Sequence, residues 1–159
     1  MGYAALIALL AAGDLGLKWL IEKQKPEDYP KPLEHTGGKI LLYRNHNAGF
    51  PFGFLEKYGH LVRTIPLVVT SALGGVLCYL AQQRGKTAQK LGLAFVIGGS
   101  LSNLYDRFIR RYVVDYFSVQ FGALKKVVFN LGDLFVFLGA GILMALQFMA
   151  EIREKLPKR

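Results

Sequence analysis

A few ionisable and amide side chains stand inside otherwise apolar stretches of this 159-residue chain, and they are the groups able to do chemistry. Asp115 lies in RRYVVDYFSV between Val113–Val114 and Tyr116–Phe117, where poor solvation favours the protonated form. Asn130 and Asp133 are three apart near the start of VFNLGDLFVFLGAGILMAL. Two carboxylates held close together do not easily both ionise, and they tend to share one proton. The ionised member of such a pair draws a proton from water as it attacks an amide carbonyl. The protonated member hydrogen-bonds the carbonyl oxygen, and a proton later passes to the leaving nitrogen. This is aspartic-peptidase chemistry. Residue spacing alone leaves the meeting of Asp115 with Asp133 an expectation, and a capping or turn role for Asp115 stands beside it.

Two further groups belong to the same set. In GDLGLKWL, Asp14 and Lys18 are four apart and share a helical face, so they are expected to pair. That pair either orients the helix or serves a nearby site. Trp19 beside it suits a membrane interface. In GGSLSNLYDRF, Asn103, Asp106 and Arg107 fall at i, i+3 and i+4, again one face. Asp106 is expected to be neutralised by Arg107 or another cation. Gly98, Gly99, Ser100 and Ser102 upstream are small enough to admit a second helix backbone at close range.

The elements that must position these groups are membrane helices. Hydrophobic residues make up 52% of the chain and its mean hydropathy is +0.28, too apolar for an ordinary soluble domain. The apolar residues gather into four blocks, at 3–21, 62–81, 91–105 and 127–150, each near the length that crosses a bilayer, with the third short. A buried soluble bundle would need polar outward faces, and IPLVVTSALGGVLCYLA offers almost none. The chain therefore reads as one membrane domain, 1–159. The segment YAALIALLAAG resembles a cleavable leader, but no Lys or Arg precedes it and apolar character resumes after Asp14, so a retained helix is expected.

The net charge of +9 comes from scattered single and paired cations at block edges rather than a nucleic-acid-binding patch. Arg84, Lys86 and Lys90 in loop 82–90 and Arg153, Lys155, Lys158 and Arg159 in the tail fall on one side of a four-crossing topology. The positive-inside rule puts them and both termini in the cytoplasm. Loops 22–61 and 106–126 then face outward, where Asp115 and Asp133 would meet at the interface. In the first of these loops KILLYRN has the look of a short sheet edge, and NAGFPFGFLEKYGHLV reads as a turn followed by an aromatic amphipathic segment. The single cysteine, Cys78, allows no intrachain disulfide and reads as a core or lipid-facing residue. His35, His46 and His60 lack ligand spacing, so no metal is expected.

Five pieces taken in order, DLGLK in the first block, NAGFPFG at 47–53, GGSLSNLYDR at 98–107, VVDYF at 113–117 and FNLGD at 129–133, make the chain resemble bacterial lipoprotein signal peptidase, or signal peptidase II, over essentially its whole length. The resemblance implies an all-α membrane protein of four transmembrane helices with a small extracytoplasmic β-cradle and an interfacial helix. It implies Asp115 and Asp133 as the catalytic dyad, with Asp14, Lys18, Asn47, Gly99, Asn103, Asp106, Arg107 and Asn130 lining or bracing the site. The implied reaction removes the signal peptide from a diacylglyceryl-modified prolipoprotein, immediately before the lipidated cysteine. The implied enzyme works as a monomer in the bacterial cytoplasmic membrane among membrane lipids, with no cofactor and no nucleic acid. Three departures stand out: Ser102 where the family usually has Gly, Gly132 where it usually has Ala, and Phe50–Pro51 in place of small residues. The alternatives are a catalytically silent relative that binds lipidated peptides and a small proton or ion transporter, since buried Asp, Lys and Arg also build ion paths.

Overall fold

The computed structural model describes residues 2–49 and 57–155. Four long helices, α1 (Tyr3–Glu22), α2 (Gly59–Ala81), α3 (Thr87–Ile109) and α4 (Leu131–Lys155), are joined at one end by a small sheet. Its strands are β1 (Lys31–Pro32), β2 (Ile40–Asn47) and β3 (Val113–Val119), antiparallel in the order β1-β2-β3. Three helices, α1, α2 and α4, are long and apolar enough to cross a membrane, with mean hydropathies of 1.8, 1.8 and 1.9 over their most apolar windows.

The burial pattern inverts that of a water-soluble protein. Asp14, Lys18, Ser102, Asp106 and Asn130 are fully enclosed, whereas Val68, Phe137, Met144 and Phe148 are each more than half exposed. A solvent of acyl chains accounts for both facts, because apolar side chains need no shielding there and charged ones do. The helix α3 is the hub, packing against each of the other three and burying polar and apolar residues alike.

Glycines set the spacing between α3 and α4. Gly92 and Gly99 are seven apart, as are Gly132 and Gly139, and the antiparallel helices bring Gly92 against Gly139 and Gly99 against Gly132. A Cβ on Gly99 would land on the Gly132 carbonyl oxygen, and one on Gly139 would land on the Gly92 carbonyl oxygen. On its other side α3 meets α1 at Gly98, where a Cβ would lie 2.9 Å from the Leu10 Cβ. The small-residue run thus admits two helix backbones rather than one.

Several expected boundaries move. The third helix runs 87–109 rather than 91–105, because Lys90, although buried, donates from Nζ to the Gln83 carbonyl at 2.7 Å and Asn103 to Arg107 find partners inside the protein. The second starts at Gly59, three residues before the expected block. The last begins at Leu131 rather than at 127, because Phe129 bridges to Phe117 of β3: its N–H donates to the Phe117 carbonyl at 2.7 Å. The connection expected at 22–61 shortens to 23–58, and the one expected at 106–126 moves to 110–130 without changing length. KILLYRN is the central strand of the sheet rather than an edge. The interfacial helix expected after Asn47 falls largely on residues 50–56, which lie outside the described residues, as do Phe50–Pro51, Lys158 and Arg159. Cys78 is exposed on α2, which fits the lipid-facing alternative.

Candidate active site

Asn130 and Asp133, three apart in the sequence, flank the start of the last helix. Asn130 immediately precedes α4, and its Oδ1 accepts the Asp133 backbone N–H at 2.9 Å, while Asp133 Oδ2 accepts the Asn130 N–H at 3.1 Å. This reciprocal pair is the capping-box arrangement, in which two otherwise orphaned helix N–H groups are satisfied, and the helix dipole favours a negative charge at this end. The side chain at 133 is thereby fixed by the helix end that it caps.

The second carboxylate comes from β3. Asn45 and Asn47 of β2 pair with Asp115 and Val113 across the ladder, after a register shift between Leu42 and Asn45. Asn47 Nδ2 donates to Asp115 Oδ2 at 3.0 Å, and Asn130 Nδ2 donates to Asp115 Oδ1 at 2.7 Å. Asn130 thus touches both carboxylates. Asn103 Nδ2 of α3 donates to Asp133 Oδ1 at 2.9 Å. Asp115 and Asp133 open onto one cavity of about 420 Å³, whose walls include Asn47, Asn103, Arg107, Val113, Phe129 and Phe137. The two carboxylates converge.

Beneath this pair lies a closed charge network that fastens four elements together. Lys18 of α1 reaches Asp14 Oδ2 at 2.9 Å and Asp106 Oδ2 at 3.0 Å, and it donates to Asn103 Oδ1 at 2.7 Å. The expected Asp14–Lys18 pair is present. Asp106 is neutralised by Lys18 and by Arg110, at 2.8 Å, and its Oδ2 also accepts the Val114 N–H at 3.1 Å. That bond anchors β3 one residue from Asp115. Asp14 Oδ1 accepts the Tyr116 hydroxyl at 3.0 Å and the Leu131 N–H at 3.1 Å, so α1 caps α4 as well. Arg107, 8% exposed, donates from Nη2 to the Gly49 carbonyl at 3.0 Å and lines the cavity. Gly99 touches neither carboxylate; it lets α4 approach.

Three residues missing from the sequence-derived set prove important. Tyr116 accepts the Leu131 N–H at 2.9 Å while donating to Asp14, and burial, reinforced by the Asp14 charge, holds its phenol well above the usual tyrosine range. The Ser102 hydroxyl donates to Asp14, and Gly132 leaves room for it: a Cβ at 132 would lie 2.8 Å from both Ser102 Oγ and Asp14 Oδ2. Tyr116 was hidden because β3 is buried on both faces and shows no alternation. Ser102 and Gly132 did leave a signal, the paired departure from the family's usual residues.

Asp115 is 3% exposed, and burial, followed by the charge of Asp133, pushes its carboxyl from 3.8 up to about 7, against the pull of the Asn47 and Asn130 amides and Lys18. Between about pH 4 and pH 7 the folded protein therefore holds a proton here that the unfolded chain has lost. Stability falls as pH rises through that window and stays lower above it, by about 4 kcal/mol at about 1.4 kcal/mol per pH unit. The thermal midpoint in detergent is expected to drop as pH is raised from about 5 to 8, and Asp115→Asn to flatten that drop. An unchanged slope in the variant would put the proton elsewhere.

A family model described as Signal peptidase (SPase) II matches residues 6–149. Lipoprotein signal peptidases of Brucella ovis and Brucella melitensis are each 30% identical over 158 residues, spanning 97% of this chain and 92% of theirs. A solved bacterial membrane enzyme, determined in meso at 2.3 Å resolution, superposes with a TM-score of 0.77 at 18% identity, over 99% of this chain and 93% of that one. A second, at 1.9 Å, gives 0.72 at 16% identity over 91% of each. The fold is thus one already found in membrane enzymes, and by the match along nearly its whole length the chain belongs to the signal peptidase II family.

Proposed function

We propose that this protein is an aspartic endopeptidase that removes the signal peptide from diacylglyceryl-modified prolipoproteins, cutting before the lipidated cysteine, with Asp115 and Asp133 as its dyad. The observation that carries the reading is the convergence of the two carboxylates on one cavity, bridged by Asn130. One carboxylate takes a proton from the attacking water while the other donates to the scissile carbonyl oxygen, and the proton count closes when the leaving nitrogen is protonated. With the carboxyl of Asp115 pushed up to about 7, it is the natural holder of the shared proton near neutrality. Asp133, held by an amide and a backbone N–H, then acts as the base.

The remaining site residues divide the work. Asn47, Asn103 and Asn130 fix the carboxylates, Asp14, Lys18 and Asp106 tie the elements that carry them, Gly99 lets α3 and α4 close, and Arg107 faces the substrate. All four helices cross the bilayer, α3 enclosed by the others, with both termini cytoplasmic and the dyad at the outer interface. A monomer suffices, because both carboxylates come from one chain. A lipidated substrate then keeps its acyl chains in the bilayer against exposed apolar helix faces such as Phe137 and Leu138.

Cleavage of a lipidated prolipoprotein peptide tests this directly. Scission before the modified cysteine is expected, with kcat/KM at least about 100-fold lower for the unlipidated peptide, since each buried methylene is worth about 0.8 kcal/mol. Equal turnover of both peptides would remove the lipid from the specificity. Binding of the lipidated peptide with no scission would favour the silent relative instead.

A further inference from the structure

Three asparagines face the carboxylates, and each has its amide turned by a group that can only donate. Asn47 Oδ1 accepts the Gly49 N–H at 3.0 Å, Asn130 Oδ1 accepts the Asp133 N–H at 2.9 Å, and Asn103 Oδ1 accepts Lys18 Nζ at 2.7 Å. In every case the NH2 is thereby aimed at a carboxylate. An amide's two ends are similar in shape, so its orientation is decided by such neighbours. Two of these neighbours are backbone groups. The third is a side chain, Lys18, fully buried, whose Nζ has Asp14, Asp106 and Asn103 within 3.0 Å, with Ser102 Oγ farther off at 3.4 Å.

We propose that Lys18 is a positioning residue for the reaction: acting through Asn103, it keeps an N–H donor on Asp133 Oδ1 and so keeps Asp133 the ionised member of the pair. Lys18 does not line the cavity among the described residues, so it meets no substrate. With a neutral group in its place Asn103 is free to turn its oxygen toward Asp133, and an oxygen there is satisfied only by a protonated carboxyl. The inference rests on the dyad reading for its kinetic consequence, but not for its proton chemistry. The charged and titratable groups around Asp133 are Asp14 and Lys18 from α1, Asp106 and Arg107 from α3, Asp115 and Tyr116 from β3, His46 from β2 and Lys126 before α4. Several of these can act at a distance, so the test has to separate orientation from bare charge.

Infrared titration of the protonated-carboxyl band, with Asp115→Asn and Asp133→Asn as assignments, reads the pair without any substrate. Lys18→Gln is expected to move proton uptake to higher pH by about one unit or more, the usual size for loss of a close favourable partner. Lys18→Arg, which keeps an obligate donor, is expected to leave it in place. In an Asn103→Leu background Lys18→Gln is expected to add little, whereas a full further shift there would mean that the charge acts alone and would overturn the proposal. If Lys18→Gln does not fold, Asn103→Leu alone decides: it must raise the pH of proton uptake, and an unmoved midpoint sinks the idea. With the lipidated peptide, Lys18→Gln is expected to lower kcat while KM stays within about twofold, the pattern of a lost transition-state interaction. A wild-type protein that titrates as described yet cuts no lipidated peptide would count against the peptidase reading and leave this inference standing.

Discussion

Asp115→Asn and Asp133→Asn are each expected to lower kcat on a lipidated peptide by about four orders of magnitude or more, and the double variant is expected to fall little further. On the proposed mechanism the two carboxylates work as one unit. Without Asp133 the water has no base; without Asp115 the carbonyl oxygen loses the acid that neutralises it. Once either is gone the other has nothing to complete. Both substitutions are close to isosteric, but each carboxylate accepts an N–H donor on both oxygens, so an amide keeps one of the two contacts and turns its NH2 toward the other donor. Thermal unfolding and substrate binding measured beside turnover therefore separate lost chemistry from lost structure. Measured turnover near that of wild type in either one would take that residue out of the dyad.

The second large effect lies away from the carboxylates. Gly99→Ala is expected to cost at least about 3 kcal/mol, the upper end for overpacking, because the new methyl meets a backbone carbonyl of α4 that cannot swing aside. Retention of folded protein in detergent, followed by thermal unfolding, measures it. Gly132→Ala is different, since two of the three atoms its methyl would crowd are side-chain oxygens, Asp14 Oδ2 and Ser102 Oγ. Ser102→Gly removes one of them. The double variant Ser102→Gly with Gly132→Ala is expected to recover much of the stability that Gly132→Ala alone loses, a coupling of about 1 kcal/mol or more. Strictly additive losses would mean that the hydroxyl and the missing methyl do not share one space.

Much of this arrangement could be read from residue order. Four apolar blocks with polar residues at helical spacing mark the helices and put Asp14 with Lys18 and Asn103 with Asp106 on common faces, and those faces are the ones that meet in the structure. The sheet was less legible. VVDYFSV is buried on both sides, so it lacks the alternation that marks a strand, and Val127–Phe129 is as apolar as the helix it precedes. The site's bracing was hidden for another reason. Tyr116 and Ser102 act on Asp14, which the fold brings near across 102 and 88 positions, and no local pattern announces such a meeting, whereas Arg110 meets Asp106 at plain i,i+4 spacing. The glycine seam is the opposite case: Gly92, Gly99, Gly132 and Gly139 carry a seven-residue spacing that is visible in the chain, and its meaning appears only when the two helices are laid antiparallel.

The largest fully enclosed groups include Lys18, Asn130, Asp14 and Asp106, and they find their partners only when the helices are together. On the four-crossing reading proposed above, α3 carries Lys90 near its start and Asp106 and Arg107 near its end, with Asn103 beside them, and each charge weakens the partitioning of a lone helix, by up to about 3 kcal/mol at a helix centre and less toward the ends. Released singly into lipid, α3 would be drawn back toward water. On that reading α3 is held in place by Lys18 of α1 and by the glycine seam with α4, so the last helix to emerge would secure the third.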